Sequence, residues 1–303
     1  MEYPSFGDRV PELSDITIYI EALQKRVIGQ TLNCVRVRSP FLVRTFDPPL
    51  DSVEGKTIRE VRRLGKRIAF GFDDELWVVI HLMIAGRLHW KPPDAKLPGR
   101  YALAAFDFAD GTLMFTEAGT KHRASLHVVR YDGSLQPHQP GGLDVFTSTL
   151  DEFASALRRE NHTIKRTLTD PHVFDGIGNS YSDEILHRAR LSPFLMSQKL
   201  ADSDVATLFA ACREVLHEWI ERLRAETGDG FPEKVTAFRK EMAVHGKYGK
   251  PCPVSRAKVQ RIRYADNETN YCSGCQTEGR ILADRSLSRL LKNDWPKHIG
   301  ELD

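Results

Sequence analysis

The pattern of apolar and polar positions changes once along the chain, from short alternating runs to a helical period. From Thr31 to Val129, turn residues separate apolar or alternating runs such as TLNCVRVRS, RIAFGFDDELWVVIHLMIAG and YALAAFDFADGTLMFTE. An Asp-Asp pair lies inside the second of these stretches and an Asp-Gly pair inside the third, where they favour hairpin turns. Ahead of them, ITIYIEALQKRV has apolar residues at helical spacing. The pattern therefore predicts a β domain preceded by one helix over residues 15–27.

A segment rich in Gly and Pro, YDGSLQPHQPGGLDVF, follows the β region and predicts a linker. Between Thr149 and His245 the period is helical, as in DEFASALRRE and DVATLFAACREVLHEWIERLRAE. The part from Gly246 onward is short and basic, and DRSLSRLLKND near its end predicts a final helix. The predicted domains are an N-terminal domain over 11–131, a helical domain over 148–245, a small module over 246–276 and an extension over 277–303.

Composition narrows the class of protein. The 303 residues are 41% hydrophobic and 28% charged, which is typical of a globular protein with a sizeable core. No apolar run approaches the roughly 20 residues of a bilayer span. The first residues have neither an apolar core nor a basic leader, so we expect a cytoplasmic protein with no membrane partner. Five cysteines, an odd number in such a chain, argue against a disulfide framework.

The distribution of charge says more than its sum, because the net charge is only +2. Basic residues cluster in RRLGKR (62–67), in RRENHTIKR (158–166) and between His245 and Arg263, where there are six Lys or Arg and no acidic residue. A solvated face explains any one of these runs equally well. Three runs in separate regions favour a shared anionic partner.

In the segment FDGIGNSYSDEILHRARLSPF, residues 174–194, Gly176 and Gly178 permit a tight turn. A helical pattern follows from Asn179, so backbone N–H groups at the helix start would face an anion. An ordinary helical hairpin is the simpler alternative. The full string, however, closely resembles the helix-two-turn-helix of the formamidopyrimidine-DNA glycosylase and endonuclease VIII family. The resemblance implies that Asn179 and Lys165, fourteen residues earlier, hold the DNA backbone around a lesion.

The N-terminal segment DRVPELSDI contains Pro-Glu-Leu, the tripeptide with which mature chains of this family begin. The resemblance implies that the amine of Pro11 attacks the sugar carbon bearing the damaged base and forms a Schiff base. It also implies that Glu12 acts as the general acid. In mid-chain the nitrogen of Pro11 is a tertiary amide without a usable lone pair. We therefore expect translation to start at Val10 through a GUG codon, followed by removal of the initiator.

Two further segments resemble the family's catalytic domain. RRLGKRIAF resembles a β-turn that carries a catalytic lysine, which implies that Lys66 lies at the phosphate of the lesion. HLMIAGRL resembles the family's His-Leu-Gly-Met-Ser-Gly segment, so Ile84 would be the apolar wedge that fills the gap left by a flipped base. Where the family carries Arg-Arg-Phe-Gly, this chain has KHRA, residues 121–124. Lys121 would keep a basic contact to the opposite strand, and the stacking phenylalanine is absent.

The segments GKYGKPCPVS and NYCSGCQ resemble the family's zinc finger, in which two Cys-x-x-Cys pairs flank a β-hairpin. The resemblance implies one structural zinc ion on Cys252, Cys272 and Cys275. Ser255 stands at the position of the remaining cysteine, which leaves water, His245 or nothing as the fourth ligand. We therefore expect zinc that a chelator removes readily. The arginine of the finger is replaced by Asn267.

The resemblance extends from Pro11 to about residue 276 and implies an α+β multidomain protein. Its parts would be a β-sandwich with a leading helix, a helix-two-turn-helix domain and a zinc-finger-like β-hairpin. The implied function is a monomeric base-excision-repair DNA glycosylase with AP lyase activity on double-stranded DNA containing oxidised bases or abasic sites, associated with the nucleoid. Two alternatives stay open. One is a DNA-binding protein on this fold without catalysis, and the other is an RNA-binding or ribosome-associated helix-two-turn-helix protein.

Overall fold

The computed structural model describes residues 11–97, 99–118, 122–233, 235–264, 267–283 and 296–301. Residues 1–10, Lys121 and the predicted final helix of DRSLSRLLKND lie outside these ranges. The described residues form two compact units. The β unit comprises Arg9–Pro140 and Trp219–Thr236, and the helical unit comprises Gly141–Glu218 and Ala237–Asp303.

The β unit contains two four-stranded antiparallel sheets, ordered β2-β3-β4-β8 and β1-β6-β7-β5. Alternating apolar runs with hairpin turns predict such sheets, and the turn at Asp73–Glu75 and the pairing of Phe108 with Gly111 confirm the predicted hairpins. The strands are β1 (Cys34–Val37), β2 (Ile58–Leu64), β3 (Arg67–Phe72), β4 (Leu76–His81), β5 (Gly86–Lys91), β6 (Ala102–Phe108), β7 (Gly111–Glu117) and β8 (Ser125–Arg130).

The leading helix α1 (Leu13–Val27) packs its apolar stripe into the core of the β unit. Ile16, Tyr19 and Leu23 are fully buried, and burial of each such side chain stabilises the fold by about 1.5–3 kcal/mol. The helix begins two residues before the predicted start. The Asp15 carboxylate accepts the Glu12 N–H at 3.0 Å and so caps the helix at this earlier start.

The helical unit contains α2 (Leu150–Arg158), α3 (Ile164–Thr169), α4 (Asn179–Arg188) and the first part of α5 (Asp202–Thr227). The predicted helical period is confirmed as far as residue 227. It does not continue to His245, because Gly228, Gly230 and Pro232 interrupt the chain directly after α5. None of the helices in the described ranges is long and apolar enough to cross a membrane.

The helical unit also includes a β-hairpin made of β9 (Val259–Tyr264) and β10 (Asn267–Cys272), followed by the short helix α6 (Ser273–Gln276). The predicted fold class is thus confirmed in its three parts: a β region with a leading helix, a helical region and a C-terminal hairpin with clustered cysteines. Beyond the hairpin, Ile281 N–H donates to the Lys297 carbonyl, so part of the predicted extension pairs with itself.

Candidate functional site

Pro11 and Glu12 lie at the N-terminal end of α1 and are both buried. Glu12 is 2% exposed, although a glutamate on a helix end is ordinarily solvated. Its carbonyl accepts the Ile16 N–H at 2.9 Å, which makes it the residue from which α1 starts. The fold therefore fixes a proline nitrogen and a buried carboxyl side by side on a rigid helix end. This is the arrangement that a nucleophile and its acid require.

Lys66 occupies the second position of a two-residue turn between β2 and β3. Leu64 pairs with Arg67 across the turn, and Gly65 takes a φ of 64° that its lack of a Cβ permits. The neighbouring arginine side chains are engaged within the protein, because Arg62 bonds Glu60 and Asp132 at 2.6 Å and Arg67 donates to the His138 carbonyl. Part of the basic run is therefore taken up by contacts within the protein.

Histidines next to this turn are held in their neutral form. Burial, followed by the charges of Arg67 and Lys66, lowers the pKa of His81 to about 4. Burial and the neighbouring His138 likewise lower the pKa of His127 to about 4, and the two rings lie 4.7 Å apart. Neutral histidines add no further positive charge beside Lys66.

This histidine group predicts acid sensitivity. Below its ordinary pKa the unfolded His81 is protonated, whereas the folded one stays neutral down to about pH 4. The unfolded state therefore binds more protons between these values, and the free energy of unfolding falls as the pH falls through that window, by about 2 kcal/mol for His81. Thermal melts between pH 7.5 and 4.5 should show this loss. We expect a shallower loss for His81→Gln and no change for His217→Gln, which alters an exposed histidine.

The predicted wedge, Ile84, lies half-buried at the tip of the β4–β5 connection. Met83 has a φ of 53°, and the Gly86 N–H donates to the Leu82 carbonyl at 2.9 Å. A Cβ at Gly86 would approach the Leu82 oxygen to 2.2 Å, so only glycine closes this loop. Arg87 donates to the Ile84 carbonyl at 3.2 Å. The loop thus presents Ile84 from a rigid base.

The described part of the following loop is held by Glu117, a buried residue at the end of β7. Its carboxylate accepts the backbone N–H groups of Arg123 and Ala124 at 2.9 and 3.1 Å. This fixes the loop directly after Lys121.

In the helical unit, α4 starts at Asn179 after a turn in which Gly176 has a φ of 76°. The Asn179 side-chain amide donates to the Glu268 carbonyl of β10 at 2.9 Å. Lys165 is 3% exposed, and its ammonium group donates to the Asn179 carbonyl at 2.7 Å and to the Asp183 carboxylate at 2.5 Å. Lys165 therefore organises the first turn of α4, and its direct contact with DNA stays a prediction.

Asp183, one turn further along α4, is fully buried and links the helix to two other segments. It accepts from the His245 ring at 2.8 Å and from the Asn270 N–H of β10 at 3.1 Å. Although burial alone would raise the pKa of Asp183, the charges and hydrogen bonds of Lys165 and His245 lower it below its usual range. An ionised, multiply bonded aspartate at this point fixes α4 against the hairpin.

The cysteines of the C-terminal module lie together with a histidine that the sequence interpretation did not include. One ligand atom from each of His187, Cys252, Cys272 and Cys275 lies within 4.8 Å of the others, so the cluster could hold a metal ion. The other candidate donor, His245, is bonded to Asp183 and is not part of this group. His187 belongs to α4, far in sequence from the cysteines, and no local spacing rule would reveal it.

The donor types and distances of this cluster fit a tetrahedral metal. Two thiolates on one zinc ion, with bonds of about 2.3 Å, lie about 3.8 Å apart, and the sulfurs of Cys252 and Cys275 are 3.8 Å apart. The His187 Nε2 lies 3.2 Å from the Cys252 sulfur. Burial lowers the pKa of His187, which favours the neutral imidazole that binds metals. The Ser255 hydroxyl lies 3.0 Å from the Cys272 sulfur.

Comparison with known proteins gives matches to both units. Residues 10–120 match the formamidopyrimidine-DNA glycosylase N-terminal domain, and residues 143–229 match the formamidopyrimidine-DNA glycosylase H2TH domain. A formamidopyrimidine-DNA glycosylase of Thermus thermophilus is 31% identical over 283 residues, covering 89% of this chain and all of that protein. An uncharacterized formamidopyrimidine-DNA glycosylase-like protein of Mycobacterium tuberculosis is 41% identical over 162 residues, covering 53% of this chain and 99% of that protein.

Solved structures with this fold include complexes with damaged DNA. The complex between Lactococcus lactis Fpg and an abasic-site-containing DNA matches with a TM-score of 0.77 at 26% identity, covering 88% of this chain and 99% of that chain. A structure of MutM in complex with carbocyclic 8-oxo-G containing DNA matches with a TM-score of 0.77 at 26% identity, covering 88% of this chain and 100% of that chain.

Proposed function

Since this chain belongs to the formamidopyrimidine-DNA glycosylase family, we propose that it excises oxidised bases from double-stranded DNA and nicks the strand through a Schiff base on Pro11. The observation that carries this proposal is the buried Pro11-Glu12 pair at the start of α1, within the part that matches the family's N-terminal domain. The complexes of similar proteins with abasic-site and 8-oxo-G DNA support the substrate class.

In the proposed reaction, which requires a chain that begins at Pro11, the secondary amine of Pro11 forms a bond to C1′ as the bond from C1′ to the base breaks. Glu12 supplies the proton that the leaving base or the sugar ring oxygen requires. The bound amine then loses its proton, the ring oxygen is protonated, and cleavage of the bond from C1′ to the ring oxygen gives an iminium ion between Pro11 and C1′. Loss of a proton from C2′ then expels the 3′ phosphate, which breaks the strand. Hydrolysis of the iminium finally returns the free amine.

The remaining residues act on the DNA around the reacting sugar. Lys66 contacts the phosphate at the lesion, and Ile84 fills the space of the extruded base. Lys121 contacts the opposite strand. The side chain of Asn179 and the backbone at the start of α4 bind the DNA backbone, since a helix start favours anions.

Zinc is the metal we assign to the cluster of Cys252, Cys272, Cys275 and His187. Thiolates with an imidazole are the donor set of structural zinc sites, and no donor in this cluster suits a hard cation such as magnesium. Bound zinc would supply folding energy to the hairpin and would take no part in the chemical step.

Two alternatives make different predictions about DNA. A DNA-binding protein that has lost catalysis would bind abasic duplex without nicking it. An RNA-binding protein would bind an RNA duplex more tightly than an abasic-site DNA duplex. Binding and nicking measured on matched DNA and RNA duplexes separate the three, and we expect preferential binding and nicking of the abasic DNA.

Lys66→Ala tests the proposed role of the turn. Removing one positive charge from the transition state is expected to lower the rate of base excision by roughly 10²-fold, as for other oriented electrostatic groups. DNA binding should lose only one phosphate contact, so the slope of log affinity against log salt should fall by about 1. The control is Lys56→Ala, which removes a lysine paired with Asp74. Equal excision rates for the two variants would contradict the assigned role.

A further inference from the structure

Helix α4 and strand β10 carry two hydrogen-bonded pairs of positions, and a third pair of nearby positions follows at the same step. Asn179 bonds the carbonyl of Glu268, and Asp183 bonds Asn270. Four residues of helix rise about 6 Å and two residues of strand about 6.8 Å, so the two elements stay in step over this length. The next step pairs His187 with Cys272, and both belong to the metal-binding cluster.

Residues near the cluster show the same connection between helix and hairpin. The Gln276 side chain accepts the Cys272 N–H at 2.8 Å and donates to the Leu191 carbonyl, three residues past α4, at 2.9 Å. The Val254 N–H donates to the Cys252 sulfur at 3.4 Å, which stabilises a thiolate. His187 is 7% exposed, so its ring is held in the interior against Cys252.

Ser255 fits a different role. Its hydroxyl is a weak ligand for zinc at neutral pH, because the metal requires a deprotonated oxygen there. At 3.0 Å from the Cys272 sulfur, the hydroxyl is placed to donate a hydrogen bond to that thiolate. It can thus support a ligand without binding the metal itself.

We propose that His187 is the fourth zinc ligand in place of Ser255, and that the ion fastens α4 to β10 at the end opposite Asn179. The site then has three ligands from the cysteine module and one from the helix-two-turn-helix. Zinc sets the position of α4 along the hairpin. The expected effect of zinc on DNA binding, through the position of Asn179, rests on the proposed function. The assignment of His187 as a ligand does not.

The ligand assignment is tested by zinc content and affinity. We expect one zinc ion per chain in the unmodified protein, in Ser255→Ala and in His162→Ala, which alters another histidine of the helical unit. Loss of a residue that only hydrogen-bonds to a ligand typically weakens metal binding by about 10–100-fold, and loss of a direct ligand should weaken it more. We therefore expect His187→Ala to lose zinc to a competing chelator. Loss of zinc in Ser255→Ala with retention in His187→Ala would overturn the proposal.

His187→Cys keeps the test decisive even where His187→Ala does not fold. With cobalt in place of zinc, this variant should keep the visible spectrum of a tetrahedral site. Its bands should shift from those of a site with three sulfurs and one nitrogen to those of a site with four sulfurs. An unchanged visible spectrum would show that residue 187 does not bind the metal, and would overturn the assignment.

The double variant His187→Ala/Ser255→Cys separates metal binding from the connection to α4. Four cysteines within the module should restore one zinc ion per chain, but the ion no longer touches the helix. We expect affinity for abasic-site duplex at least about tenfold below that of the unmodified protein, one decade being about 1.4 kcal/mol. Full restoration of affinity would refute the fastening role. Failure of the unmodified, zinc-loaded protein to bind this duplex would instead count against the proposed function.

Discussion

A chain that begins at Pro11 is expected to nick abasic-site DNA more than about 10³-fold faster than one that carries residues 1–10. The reason lies in one nitrogen atom. With Val10 attached, the Pro11 nitrogen is an amide whose lone pair is delocalised into the carbonyl, so it cannot attack C1′. As the first residue, Pro11 offers a secondary amine. Nicking rates of the two chains on the same abasic duplex measure the difference.

The sharpest control adds a single N-acetylated glycine in front of Pro11, which blocks the Pro11 nitrogen and supplies no new amine. This chain differs from the active one by one residue, so its stability and DNA affinity should be nearly unchanged, while its nicking should fall as far as that of the longer chain. The glycine-extended chain cannot form the same adduct through Pro11, because its Pro11 nitrogen is an amide. Equal nicking by all three chains would therefore show that another group is the nucleophile.

Glu12→Gln, in a chain that begins at Pro11, is expected to lower excision of an oxidised base by about 10²–10⁴-fold. The amide has nearly the same shape as the carboxyl but cannot deliver a proton to the leaving group. An abasic site has no base to release, so its nicking should fall much less. Parallel single-turnover assays on oxidised-base and abasic duplexes measure the two steps.

Glu21→Gln is the matched control, because Glu21 lies on the same helix and pairs with Arg224 on the surface. This variant should keep both activities. If Glu12→Gln lowered excision and abasic nicking by the same factor, Glu12 would serve the nucleophile or the fold rather than the departure of the base.

Much of the fold follows from local sequence, because hairpin turns and apolar alternation act over a few residues. The start of α4 at Asn179 lies where the pattern predicts it, and the β-turn at Lys66 lies where the family resemblance implies it. The predicted extent of the helical region, up to His245, was wrong beyond residue 227, because two glycines and a proline follow directly after α5.

Features that depend on contacts between distant parts of the chain could not be predicted from the local sequence. The buried ion pair of Lys165 with Asp183 joins α3 to α4, and no local pattern in the sequence indicates it. His187 joins the cysteine cluster only because α4 and β10 run in step through Asn179 and Asp183. In the sequence, His187 is recognisable only as a histidine eight residues after Asn179, on the same face of the helix. This spacing indicates a metal ligand only when the position of the hairpin is known.

The central claim is the Schiff base on Pro11, and borohydride trapping followed by peptide mapping tests it most directly. With abasic-site duplex and a chain that begins at Pro11, borohydride should reduce the iminium to a stable amine, giving one covalent adduct per chain on the N-terminal peptide. An adduct on a lysine, or none from a chain that nicks this DNA, would contradict the account.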